Sequence, residues 1–95
     1  MGKVQAFKID GLDLFFYSHD HKPPHFHAAI KSGEWEIRID ILLSSKENGL
    51  IFKAKYPRNP EISSKDKKQL LKLVLGNRSK LLDEWEQKVC IKEDR

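Results

Sequence analysis

Alternation of apolar and polar positions runs through residues 1–57, and helical spacing through residues 62–90. Val4–Ile9 and Leu12–Tyr17 are two β-rich runs joined by Asp10-Gly11, a dipeptide suited to a type I′ hairpin because both central residues of that turn take positive φ. The turn predicts Ile9 opposite Leu12, Phe7 opposite Leu14 and Gln5 opposite Phe16, with Lys8 facing Asp13 on the other side. His25–Ile30 alternates next, with Phe26, Ala28 and Ile30 on one face and His25, His27 and Ala29 on the other. Trp35–Ile41 places Trp35, Ile37, Ile39 and Ile41 on an apolar side and Glu36, Arg38 and Asp40 on a polar one. A tight Ser32-Gly33 turn would set Ala28 against Ile37 and Phe26 against Ile39. The polar face then has His27 across from Arg38 and His25 across from Asp40, and matching apolar faces restrict any slip to two residues.

Asn48-Gly49 marks another turn, and Leu50–Tyr56 a further strand ended by Pro57 and Pro60. Ser63 followed by Asp66 reads as a capping-box start. Leu70, Leu71, Leu73, Val74 and Leu75 then form a broad apolar helical face. Apolar spacing continues through Leu81, Leu82, Trp85 and Val89, so the pattern predicts a helix kinked or broken near Gly76-Asn77, with Lys92–Arg95 frayed. The fold class is α+β: an antiparallel meander of about five strands, one face covered by C-terminal helix. The whole chain reads as a single domain, sheet over 1–57 and helix over 62–90.

Composition narrows the class. The 95 residues are 39% hydrophobic and 34% charged, ordinary for a compact folded domain. No apolar run approaches the roughly 20 residues of a membrane span, and the N-terminus has no apolar signal core. A lone Cys90 excludes an internal disulfide and fits a reducing, cytoplasmic setting. The net charge of +4 favours anionic partners such as RNA or an acidic protein. The cluster Lys65, Lys67, Lys68 and Lys72 reads first as a solvated helix face and second as a nucleic-acid patch.

The chemistry concentrates in His19–His27, which holds all four histidines, Asp20 and two of the four prolines. Each imidazole offers a donor and an acceptor and titrates near neutrality. Pro23-Pro24 predicts a stiff, extended connection that lowers the entropy lost when flanking side chains converge. His25 and His27 project from one side of a strand, and a carboxylate beside an imidazole sets its tautomer and basicity, as in metal sites and general-base histidines. The structural alternative is a polar cross-strand ladder on a solvent-facing sheet.

Phe16-Tyr17 leading into Asp20-His21-Lys22-Pro23-Pro24-His25-Phe26-His27, then Ile39-Asp40-Ile41 and Leu81-Leu82-Asp83-Glu84-Trp85-Glu86, resembles domain of unknown function family 4160. That family's motif reads Asp-His-x-Pro-Pro-His-x-His. Asp20, His21, Pro23, Pro24, His25 and His27 fit it position by position, and His19 falls outside it. The resemblance implies a small bacterial protein with no settled activity, often encoded beside a cognate protein of family 2442 in arrangements like toxin-antitoxin pairs.

Three functions fit these residues. An effector acting on RNA or the translation machinery would draw a base, an acid and a cation from His21, His25, His27, Arg38 and Asp40. A metal-binding module would use His21, His25 and His27 with Asp20 or Asp40, and without cysteine ligands would prefer Zn, Ni, Cu or Fe. A binding or regulatory domain would recognise a partner protein or nucleic acid without chemistry. Other histidine templates fail: a third alternating histidine is replaced by Ala29, and no His-Glu-x-x-His helix exists.

Overall fold

The computed structural model describes residues 2–91. Met1 and Lys92–Arg95 lie outside the described residues, so the expected fraying of the C-terminus is not among them. Five strands form an antiparallel sheet in chain order: β1 (Gly2–Lys3), β2 (Leu12–Phe16), β4 (His25–Ile30), β5 (Glu36–Asp40) and β6 (Phe52–Tyr56). Between β2 and β4 a short strand, β3 (His19–Asp20), leaves this sheet. It pairs in parallel with β7 (Cys90–Ile91), which follows helices α1 (Ser64–Gly76) and α2 (Arg78–Lys88). The α+β meander is thus as expected, with β3 and β7 as additions that the pattern did not announce.

The central register follows the alternation. His25 opposes Asp40, Phe26 opposes Ile39, His27 opposes Arg38 and Ala28 opposes Ile37, the pairing that coincident apolar faces demand. Gly33 closes the hairpin at φ 83°, a conformation that Cβ-bearing residues adopt at a cost. One core gathers Phe16, Phe26, Ile37 and Ile39 from the sheet with Leu70, Val74, Leu81 and Trp85 from the helices.

The N-terminal hairpin departs from expectation. The turn at Asp10-Gly11 forms, with Leu12 N donating to Ile9 O at 3.2 Å. Only Gly11 has positive φ, however, at 85°, and a type I′ turn needs both central residues there. A turn without the I′ twist splays the chains it joins, and residues 4–9 do not run as a strand. Pairing resumes as Gly2 with Phe16 and Lys3 with Phe15, three residues out of the predicted register. Val4 N still donates to Leu14 O at 2.9 Å, and the next two residues are held by Glu84 of α2. Its carboxylate accepts Gln5 N at 2.7 Å and Ala6 N at 2.9 Å.

The helical part breaks where predicted. Ser63 Oγ accepts Asp66 N at 3.1 Å and caps α1. Asn77 separates the helices, its side-chain Nδ2 donating to Leu73 O at 2.8 Å, so it closes α1 and makes no side-chain cap on α2. The apolar face of α1 is narrower than expected: Leu70 and Val74 are buried, and Leu71, Leu73 and Leu75 only half so. Lys65, Lys67, Lys68 and Lys72 are exposed. Among the described residues no helix is long and apolar enough to cross a membrane.

Candidate functional site

β4 delivers two histidines to the same side of the sheet, as alternation requires, yet that side is not solvent-facing. His25 is 3% exposed and His27 5%. Aromatic rings cover them. His27 stacks on Phe15 with centroids 5.5 Å apart and meets Tyr17 edge-on at 4.2 Å, while His25 lies 5.2 Å from Trp85. Phe15 and Tyr17 share a parity on the chain from β2, and Phe15 is the direct register partner of His27.

The carboxylate at the imidazoles is Asp20, not Asp40. His25 Nε2 lies 2.8 Å from Asp20 Oδ2 and His27 Nε2 3.4 Å from the same oxygen. The chain bends at Lys22 and Pro23 where an extended course was expected, and the Lys22–Pro23 peptide is cis. That bend points Pro23 O at His25 Nδ1, 2.9 Å away. β3 sets Asp20 above the rings, and its pairing with β7 ties that strand to the segment after α2, Cys90 N donating to Ser18 O at 2.8 Å. Asp40 keeps its predicted place opposite His25, but its Oδ1 accepts Leu43 N at 2.7 Å and closes the turn after β5. His21 is exposed and outside the group, its backbone N–H donating to Asp20 Oδ1 at 2.9 Å. The residues the structure brings together are Asp20, His25 and His27, whose ligand atoms all lie within 4.8 Å of one another.

A second carboxylate stands behind His27. Glu36, 7% exposed, places Oε2 3.5 Å from His27 Nδ1. The same oxygen accepts the Tyr17 hydroxyl at 2.9 Å and lies 3.2 Å from Lys55 Nζ. Lys55 Nζ also donates to the Tyr17 oxygen. Lys55, itself exposed, sits at an irregularity in the β5–β6 ladder, where Glu36 pairs with Tyr56 and Ile37 with Ala54, a bulge that re-aims a side chain. The parity of Glu36 with Arg38 marked it in sequence as polar-face. The bulge and the Tyr17 bridge had no sequence signal.

Electrostatics follow the packing. Burial would raise the Asp20 carboxyl, but the His21 N–H and the two imidazoles outweigh it and hold Asp20 below the ordinary aspartate value. Burial lowers His27, more than Asp20 and Glu36 restore. The Tyr17 hydrogen bond, with Glu36 second, raises Lys55. Beside the group opens a cavity of about 370 Å³, lined by Tyr17, Asp20, His27, Arg38, Lys53 and Lys55 among others. Arg38, opposite His27 on β5, and Lys53, opposite Arg38 on β6, bring cations to it.

No curated protein and no solved structure gives a significant match. The profile described as Domain of unknown function (DUF4160) matches residues 11–86, which include β2 to β6, all three residues of the Asp20 group and the helices as far as Glu86. The chain therefore belongs to the DUF4160 family.

Proposed function

We propose that the chain is a metal-binding protein whose Asp20, His25 and His27 hold one divalent transition metal ion beside the cationic cavity. The observation that carries this is the convergence of His25 Nε2 and His27 Nε2 on one Asp20 oxygen, the three ligand atoms lying within 4.8 Å of one another. Pro23 O can only accept, so His25 carries its hydrogen on Nδ1. His27 Nδ1 faces the Glu36 carboxylate, another acceptor, and makes no hydrogen bond of its own. With the hydrogen of each ring on Nδ1, the tautomer of metal-bound histidines, both Nε2 atoms turn a lone pair toward the one Asp20 oxygen. A single cation held there would take one ligand atom from each of the three side chains.

Dimensions and surroundings support the reading. Ligands held 2.0–2.1 Å from a zinc ion in tetrahedral geometry stand roughly 3.4 Å apart, and octahedral neighbours at that distance roughly 2.9 Å. The Nε2 to Oδ2 separations are 2.8 Å for His25 and 3.4 Å for His27, and with all three ligand atoms within 4.8 Å of one another the side chains would draw together by rotamer adjustment around an ion. Metal-bound histidines characteristically give their other ring nitrogen to a carbonyl or carboxylate, the positions of Pro23 O and Glu36. Two imidazoles and a carboxylate suit Zn, Fe, Ni or Cu, and three protein ligands leave coordination positions for water or substrate. A bound ion would supply Lewis acidity and an acidified water at the mouth of the cavity.

The test is elemental analysis of untagged protein, with and without dialysis against each metal. One ion per chain is expected in the wild type, and less than a tenth of that in His25→Ala and His27→Ala under the same dialysis. Asp20→Asn, which keeps shape but loses charge, should weaken binding by tenfold or more. Wild type that retains no stoichiometric metal, or His25→Ala and His27→Ala that retain it undiminished with a native circular dichroism spectrum, would discard the proposal.

A further inference from the structure

The cavity beside Asp20 and His27 has a charge pattern that the metal reading does not use. Arg38, Lys53 and Lys55 all line it. Only Lys55 is compensated, by Glu36 at 3.2 Å. Arg38 and Lys53 have no ion-pair partner among the described residues. They are register partners on adjacent strands and so share a face and a short span. Two cations side by side repel, and a guanidinium next to an ammonium is the arrangement that a phosphate oxyanion satisfies, the planar fork taking two oxygens and the ammonium a third.

From this we infer that the cavity binds a phosphate monoester dianion through Arg38 and Lys53, with Tyr17 and Lys55 along its wall and the metal ion at its inner end. The inference builds on the proposed metal site and names the class of ligand that site takes. Charge favours the monoester: a dianion gains more than a singly charged diester from Arg38 and Lys53, neither of which has a carboxylate of its own among the described residues. Size agrees, since a cavity of about 370 Å³ lies at the small end of ligand sites and holds a phosphate with a modest organic group. An oxygen of that phosphate would stand next to His27 and Asp20, both of which line the same cavity.

The experiment titrates inorganic phosphate, with dimethyl phosphate as the singly charged comparison, into wild type, Arg38→Ala and Lys53→Ala by calorimetry. Each protein is taken in the metal-free form and after loading with Co²⁺, whose visible spectrum reports on the ion's ligands. Phosphate is expected to bind the loaded wild type tenfold or more tightly than dimethyl phosphate and to shift the cobalt bands. Arg38→Ala and Lys53→Ala should each weaken phosphate about tenfold or more while binding cobalt as wild type does. If cobalt binds and phosphate does not, or binds the two variants equally well, the inference falls and the metal site stands. If cobalt fails to bind, the metal reading falls. Phosphate binding to that protein then still supports the anion site if it depends on Arg38 and Lys53, and overturns it if it does not.

Discussion

Glu84 shows how one buried side chain can stand in for secondary structure. It is 8% exposed on α2, accepts Gln5 N and Ala6 N, and is held by Lys88 Nζ at 2.5 Å. Backbone donors that would otherwise pair in a hairpin find this carboxylate instead, so the buried N–H groups remain satisfied. Burial would raise the carboxyl, but Lys88 and the two N–H groups prevail and hold it below the ordinary glutamate value. A depressed folded pKa contributes stability that is present above the unfolded value and disappears as pH falls through the folded one. Glu84→Gln keeps one acceptor oxygen and loses the charge, so it should cost about 1–3 kcal/mol near neutrality. Urea unfolding of both proteins from pH 7 down to pH 3 checks this: the gap should narrow with acidification. A gap of constant size would mean that the charge on Glu84 has no part in holding residues 5 and 6.

Two glycines of opposite character test the reading of the elements. Gly33 sits at φ 83° in the β4–β5 turn with open space around a would-be Cβ, so Gly33→Ala pays for backbone conformation alone, about 1–2 kcal/mol. Gly76 ends α1 without positive φ and likewise has nothing within 4 Å. Gly76→Ala should therefore stabilise by about 0.5–1 kcal/mol through helix propensity. Denaturant midpoints that move the same way for both variants would contradict the assignment of turn and helix. The β4–β5 hairpin could be read in the sequence because two alternating runs, each with one apolar face, leave a single sensible register. From it followed the shared side of His25 and His27 and the pairing with Arg38. The Val4–Ile9 run alternates just as well and still misled, because the partner of Gln5 and Ala6 is a helix carboxylate far along the chain. In the sequence Asp20 belonged to the histidine motif and stood beside Asp40 as one of two acids for the metal site. Choosing it over Asp40 required the bend at Lys22–Pro23 and the pairing of β3 with β7, long-range contacts that no local pattern encodes. Asp40 fulfilled its register and failed as a partner because its side chain found the nearer Leu43 N–H.

At the scale of the molecule, the three proposed ligands come from two strands belonging to different sheets, β3 and β4, and the first sheet depends on a segment that follows α2. An ion bound there would join the β3–β7 pair to the centre of the main sheet, and its binding free energy would add to the stability of the fold. With free metal at a hundred times the dissociation constant, the gain is about 2.7 kcal/mol. A domain of this length shifts its Tm by roughly 4–8 °C per kcal/mol, so thermal unfolding should move upward by about 10–20 °C between chelator and metal. The four histidines within His19–His27 give the unfolded chain some affinity of its own, which pulls the shift toward the lower figure. His25→Ala keeps three of those histidines but loses the convergent site, so its Tm should hardly respond to metal. Calorimetric scans of the two proteins in chelator and in excess metal separate a folded-state site from loose binding by the histidine-rich segment. Equal responses in wild type and His25→Ala would assign the metal to the segment, and the convergence of Asp20, His25 and His27 would then be an ordinary hydrogen-bonded cluster under the aromatic cover of Phe15, Tyr17 and Trp85.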